Sequence, residues 1–460
     1  MASCSEQLSD WAERLEFRDL PADVVEATKL RVLDVIGLAL AGSTTPFGES
    51  LRRATVAMNP SGPSRLLGTG ESVGITAAAF ANGAMSQALE YDDTHNESIV
   101  HMSSPSVAAA LALSESRPIT GKQMITAIAL GSEISCRVGS VAPGQFHRRG
   151  FHPTGLFATF GTTYLAGRLL GLDSTQMANA AGIAGSFASG ILECWVDGTQ
   201  SKFLHPGWAA QSGIVAAFMA AAGTTGPKTV FEGRFGLLAS HLQDEAVPRD
   251  FARINNRLGE IWDSRKASFK PYPAAHVIHP YIDAILKLRA RHAIDPNDVR
   301  EIICPVASYI VPIVCQPLAE KCRPRSDSHG RVSFQYTLAE ALFTGRLGKH
   351  AYQKATLENP AVLALAEKIV CQIDPTFPPP GQFKGVVKIF LNNGECHEAV
   401  EEHNRGSAEN PMTREEIVAK FEENGADLLS SARLHRLADA VFSLESAPDA
   451  SHLVRLSIRE

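Results

Sequence analysis

Apolar residues recur at helical spacing through most of the first half of the chain. Leu8, Trp11, Ala12 and Leu15 share one face, and so do Ala27, Leu30, Leu33, Ile36 and Leu40, a run that stops at Gly42. An Ala-rich stretch from Ile75 to Leu89 reads as a further helix. Ala/Gly/Leu-rich segments follow near 104–116, 122–139, 154–170, 174–190 and 206–222. So many small residues imply helices that approach one another closely in a bundle. Gly68-Thr-Gly-Glu-Ser-Val-Gly74 resembles a phosphate loop, but its spacing is not G-x-G-x-x-G and no clear strand precedes it, so it reads as a plain turn. Nothing repeats at a fixed period.

The pattern changes near Phe269-Lys-Pro-Tyr-Pro273. Beyond it, β-branched runs at Val299 to Cys304 and Tyr309 to Val314 predict strands. Val386 to Leu391, Asn392-Asn393-Gly394 and Glu395 to Glu401 predict a hairpin, because Asn-Gly supplies the positive φ of a tight turn. Helices are expected near 333–346 and 360–370, and a loop at Pro375 to Pro380. Thr413-Arg-Glu-Glu416 is a capping box that opens a helix running to about Glu423, and Leu434, Leu437, Ala438 and Val441 mark another. The expectation is a mainly α protein: a helical domain from 1–268 and 408–460, and an α+β domain, 269–407, inserted before the C-terminal helices.

Composition adds exclusions. The 460 residues are 45% hydrophobic and 20% charged, which suits a core of ordinary size and two domains. A net charge of -6 gives no electrostatic reason to expect nucleic acid or an anionic membrane surface. The N-terminus lacks a basic region followed by an apolar core, and runs such as Gly213 to Gly223 are too short to span a bilayer. The eight cysteines are scattered without C-x-x-C, which argues for a reducing cytoplasm and against an iron–sulfur centre. No G-x-S-x-G elbow is present.

Five clusters could carry chemistry. The first closes the Ile75–Leu89 helix: Glu90, Asp92, Asp93, Thr94 and His95, with His101 beyond. Three carboxylates so close repel one another, and at least one pKa rises unless cations lie nearby. Taken by itself, this stretch reads equally well as a solvated acidic helix end. The second runs from His147 to His152 and places His152 and Thr154 at a helix N-terminus suited to anions. The third contains Lys202 and His205. The fourth is Phe269-Lys270-Pro-Tyr-Pro273 with His276 and His279. The fifth is Ser333-Phe-Gln-Tyr336. His276 and His279 could bind a metal, but no partner motif completes a site.

Taken in order, Tyr91-Asp-Asp-Thr94, Gly150-Phe-His-Pro-Thr-Gly155, Ser201-Lys202-x-x-His205-x-Gly207, Phe269-Lys270-x-Tyr-Pro273 and Ser333-Phe-Gln-Tyr336 resemble the sequence blocks of the MmgE/PrpD family. That family includes 2-methylcitrate dehydratases, cis-aconitate decarboxylases and iminodisuccinate epimerases. The resemblance implies a large helical domain, a smaller α+β domain, a homodimer, and a site at the domain junction with no metal or other cofactor. It assigns catalytic roles to His101, His152, Glu90 and Tyr336, and substrate-binding roles to Thr94, Lys202, His205, Lys270 and His279. Two positions depart from the family pattern. Glu90 stands where the decarboxylases carry Asp, and His101-Met-Ser-Ser-Pro replaces His-Pro-Ser with one extra residue of spacing.

The family reactions make or break a C–H bond beside a carboxylate of a di- or tricarboxylic acid. Lysines would hold the carboxylates, and imidazoles would move protons near their own pKa. Dehydration of a citrate-like hydroxy acid is the leading expectation. Epimerisation, decarboxylation of the cis-aconitate type, and a non-catalytic dimeric binding protein are the alternatives.

Overall fold

The computed structural model describes residues 2–379 and 381–459. The fold is mainly α, with 56% helix and 9% strand. Pro380, at the end of the expected proline-rich loop, lies outside the described residues.

The long apolar stretches become the helices Ala22–Ser43, Ile75–Gln87, Ser103–Ser114, Gly121–Gly139, Pro153–Leu170 and Leu204–Ala221. Every residue of Ser103–Ser114 is buried, as befits a helix apolar all round. Small residues let these helices touch through their backbones. A Cβ on Gly161 would lie 2.2 Å from the Gly131 carbonyl oxygen, and one on Gly207 would lie 2.1 Å from that of Phe80. The Gly68 to Gly74 stretch is a turn that runs into a strand: residues 66–71 connect two short antiparallel strands, β1 (Ser64–Arg65) and β2 (Ser72–Val73). The expected 174–190 helix stops at Ala184, and the residues after it curl back so that the Gly190 carbonyl accepts from the His152 amide at 2.9 Å.

A second core forms beyond Ala274 around a four-stranded sheet. With β3 (Thr94–His95) and β4 (Ala267–Ser268) in the first half, its strands are β5 (Val299–Val306), β6 (Ile369–Ile373), β7 (Gly385–Leu391) and β8 (Cys396–Glu401), in the order β6-β5-β7-β8. β7 and β8 form the expected hairpin, with Gly394 at φ +94°. Two expectations fail here. Tyr309 to Val314 is not a strand; it folds as a tight turn, Ser308–Ile310, and a wide helical turn, Val311–Cys315. Pro312 has no N–H to give a ladder. The place beside β5 is taken instead by Ile369–Ile373, which pairs in parallel where the end of a helix was expected. That helix stops at Ala366.

Thr413 caps the helix Arg414–Gly425 with the reciprocal Glu416 bond that the motif predicts. Phe421, Leu434, Leu437 and Val441 join the first core, so the chain returns to the helical body after completing the sheet.

Candidate active site

The backbone of the turn after helix Ile75–Gln87 is held by cations from three distant segments. The Leu89 carbonyl accepts from Arg331 Nη1 at 2.9 Å, that of Glu90 from Lys270 Nζ at 3.2 Å, and that of Tyr91 from Lys420 Nζ at 2.8 Å. The Asp93 carbonyl lies 2.9 Å from His101 Nδ1. Glu90 itself sits at φ +51°, a conformation that costs energy without glycine and persists only when its surroundings over-determine it. β3 pairs with β4, Thr94 opposite Ser268, which is why Lys270, two residues further on, arrives beside Glu90. Lys202 comes from the turn Ser201–Phe203 that opens helix Leu204–Ala221.

This turn is not a solvated acidic helix end. Glu90, Asp92 and Asp93 are 3%, 0% and 2% exposed, and each carboxylate has its own partners. Glu90 lies 2.5 Å from Lys202 Nζ and 3.8 Å from Lys270 Nζ. Burial pushes its pKa up, but the two ammonium groups outweigh burial and hold it below the ordinary range. Asp92 accepts from Ser104 at 2.9 Å and faces His101 Nδ1 at 3.3 Å. It too is lowered, with His101 the main opponent of burial. Asp93 pairs with Arg31 at 3.2 Å and accepts from Ser103, yet burial prevails and its pKa is raised.

Glu90, Thr94, His101, His152, Lys202 and Lys270 all open onto one cavity of about 540 Å³ between the two cores. This volume is within the range for small-molecule sites. Asp93 O and Asp92 Oδ1 can only accept, so His101 Nδ1 carries a proton and its Nε2 is the atom left for the cavity. The His101 and His152 rings are 5.5 Å apart. Burial, then His205, Lys202 and His101, pull His152 well below the usual imidazole range, and its Nε2 has no partner among the described residues.

Three expected site residues are not on the cavity wall. His205 stands behind His152, with the two Nδ1 atoms 2.9 Å apart; burial and then Lys202 lower it to about 4. His279 is fully buried at the start of helix His279–His292, its Nε2 on the Ala274 carbonyl at 3.0 Å. Tyr336 is set apart from the cavity as well. It lies in the second core, its hydroxyl donated to the Ala351 carbonyl at 3.1 Å, so it has no free donor to offer a ligand in the cavity.

The wall also carries residues absent from the expected site. His276 lines the cavity in place of His279, three residues earlier in a tight turn. His147, Arg148 and Gln145 border it from the segment before His152, and Trp195 lies 6.0 Å from Lys202 Nζ. The His-Arg-Arg run was the available signal for His147 and Arg148. Nothing local marks Trp195, nor Tyr309, which lines the cavity from the side of the second core.

Residues 6–250 match the MmgE/PrpD N-terminal domain, and residues 272–445 match the MmgE/PrpD C-terminal domain. The chain belongs to the MmgE/PrpD family. In this MmgE/PrpD protein, the C-terminal match runs into helices that pack on the first core, so the division by sequence and the division by packing do not coincide. The cis-aconitate decarboxylase-like protein oryM of Aspergillus oryzae is 28% identical over 98% of this chain and 96% of its own length. The cis-aconitate decarboxylase of Aspergillus terreus is 28% identical over 98% and 95%, and that of Homo sapiens 26% over 99% and 95%. Among the described residues, no helix is long and apolar enough to cross a membrane, and no group of three or more His, Cys, Asp or Glu is placed to hold a metal ion.

Proposed function

We propose that the protein is a lyase that removes a small group from a di- or tricarboxylic acid, with loss of carbon dioxide from a cis-aconitate-like acid as its leading reaction. One observation carries this reading: the ammonium groups of Lys202 and Lys270 reach the same cavity as the imidazoles of His101 and His152, with Glu90 paired between the two lysines. Lys202, Lys270 and Arg148 against Glu90 and Glu97 leave the wall net positive, which favours a polyanionic ligand. The relatives' names move decarboxylation ahead of the dehydration expected at first.

In this reading, Lys202 and Lys270 hold carboxylates of the substrate. The bond from a carboxylate to its carbon breaks and carbon dioxide leaves. The electron pair stays on the carbon framework, spread toward a neighbouring carboxylate that a lysine steadies. A proton from His101 Nε2 then forms the new C–H bond. Asp92 beside Nδ1 stabilises the protonated ring from which that proton comes. Glu90 sets the spacing of the lysines, and Thr94, 3.2 Å from His101 Nδ1, helps hold the ring.

A second reading, loss of water from a citrate-like hydroxy acid, is favoured by His152. A buried imidazole kept neutral, with an unpartnered Nε2 on the wall, suits removal of a C–H proton, a step that simple decarboxylation does not need. His205 supports either tautomer of His152 through the shared Nδ1 contact.

The deciding experiment is incubation with cis-aconitate, citrate and 2-methylcitrate. Release of carbon dioxide from cis-aconitate supports the first reading. A rise in ultraviolet absorbance from a new conjugated double bond, without carbon dioxide, supports the second. Deuterium exchange from heavy water without net loss of either would move the assignment to an epimerase. No response to any of these acids would remove the lyase reading.

A further inference from the structure

His276 is 8% exposed and lines the cavity near Lys270, yet its Nδ1 has no hydrogen-bond partner among the described residues. Its other nitrogen is occupied. Asn404, 2% exposed in the segment that leads from β8 to the C-terminal helices, places its side-chain Nδ2 2.9 Å from His276 Nε2. The orientation of that amide is set by a second contact: Nδ2 also donates to the Arg405 carbonyl at 3.3 Å, where an amide oxygen would face another oxygen. An amide nitrogen only donates, so His276 Nε2 must accept. A neutral imidazole that accepts at Nε2 carries its proton at Nδ1. The orphaned Nδ1 is therefore a donor, and a buried donor is costly to leave without an acceptor.

The surroundings keep the ring neutral and still. Burial, then His279, Lys270 and His101, drive its pKa well below the usual range. Phe383 packs edge-on at 4.9 Å between ring centres and His279 at 5.0 Å. His279 has its own proton assigned by the Ala274 carbonyl, which takes Nε2–H.

Resting on the lyase reading above, we propose that His276 serves the substrate as a neutral donor through Nδ1–H, and that Asn404 is the positioning residue that locks this tautomer. The donor faces an oxygen of a carboxylate or of the enolate-like charge that develops from it. A neutral ring suits that task because it polarises the oxygen without giving its proton away. Lys202 and Lys270 supply charge in the same cavity; His276 supplies direction.

The test uses the full chain with nitrogen-15 histidine, and His276→Gln to assign the ring. The wild type should carry the His276 proton on Nδ1. In Asn404→Asp a carboxylate that accepts replaces an amide that donates, with almost no change of shape, and a proton should appear on Nε2. Adding citrate should shift the Nδ1–H signal of the wild type, a readout that needs no turnover. With an acid that is turned over, kcat/KM should fall about 100-fold in Asn404→Asp and in His276→Leu. His276→Gln, whose amide still donates, should recover about tenfold over His276→Leu. A proton found on Nε2 in the wild type overturns the lock. A citrate titration that leaves Nδ1–H unmoved, or full turnover in His276→Leu, overturns the donor role. If no acid is turned over, the lyase reading falls, while the spectra still judge the tautomer and the citrate contact.

Discussion

Two regions looked equally chemical as sequence and differ completely in the fold. The turn Leu89–Asp93 and the block Ser333–Tyr336 both bring polar groups to a helix end. In the first, backbone carbonyls are taken by Arg331, Lys270 and Lys420, which fixes the turn so that Glu90 and Thr94 reach the cavity wall while Asp92 and Asp93 stay behind it. In the second, Ser333 donates to the His329 carbonyl and Tyr336 to that of Ala351, and the block is sealed inside an apolar core. The lesson is that a functional group is marked by what remains unpaired after folding, not by its chemical type.

The comparison can be broken most severely at the cavity. His101→Ala should lower turnover about 10²–10⁴-fold, the usual worth of a proton-transferring group. Lys202→Ala should cost about 10²–10³-fold, read as kcat/KM on the best carboxylate substrate. Full activity in either variant would detach the chemistry from this turn. Next comes Lys420, which pairs with Asp34 at 2.8 Å and braces the Tyr91 carbonyl. Lys420→Met leaves Asp34 buried without its partner and should lower unfolding stability by about 3–5 kcal/mol in a denaturant titration. A smaller loss would mean that the brace is not needed.

Acidification sharpens the same contrast. His147 and His205 are held at about 4 in the folded protein, chiefly by burial and next by Lys202, against an ordinary 6.5. The unfolded chain therefore binds more protons between these values. Stability is full above about 6.5 and is lost as the pH falls toward about 4. Denaturation midpoints measured across that window should fall steadily, and less steeply in a His147→Gln, His205→Gln double variant. The smallest effect belongs to the second region. Tyr336→Phe removes one buried hydrogen bond and should cost about 1 kcal/mol of stability while leaving turnover within about twofold. A large loss of turnover would restore Tyr336 to the chemistry and undo the comparison.

The helices were legible because a long run of small apolar residues has few other ways to bury itself. The hairpin was legible because Asn393-Gly394 restricts the backbone locally. Tyr309 to Val314 misled because β-branched residues favour a strand only if a neighbouring edge is open, and Ile369–Ile373 occupies it. The candidate site divides the same way. Glu90, Thr94, His101, His152, Lys202 and Lys270 were picked out and do share a wall. The family resemblance points to His279, whereas His276, three residues earlier, lines the cavity. Which of the two faces the cavity depends on where helix His279–His292 begins against the second core. Arg31, Arg331 and Lys420 carry no local signal, since each acts through a partner far away in the chain.

By itself, the sequence determined the helical body, the hairpin and the stock of lysines and imidazoles suited to a carboxylate, because spacing and turn chemistry act over a few residues. Only the tertiary structure decided which of those groups meet, which are silenced by a carbonyl, and which nitrogen of an imidazole holds its proton. Those outcomes depend on desolvation and on hydrogen-bond partners up to hundreds of positions apart, as between Tyr91 and Lys420, and no local pattern encodes them.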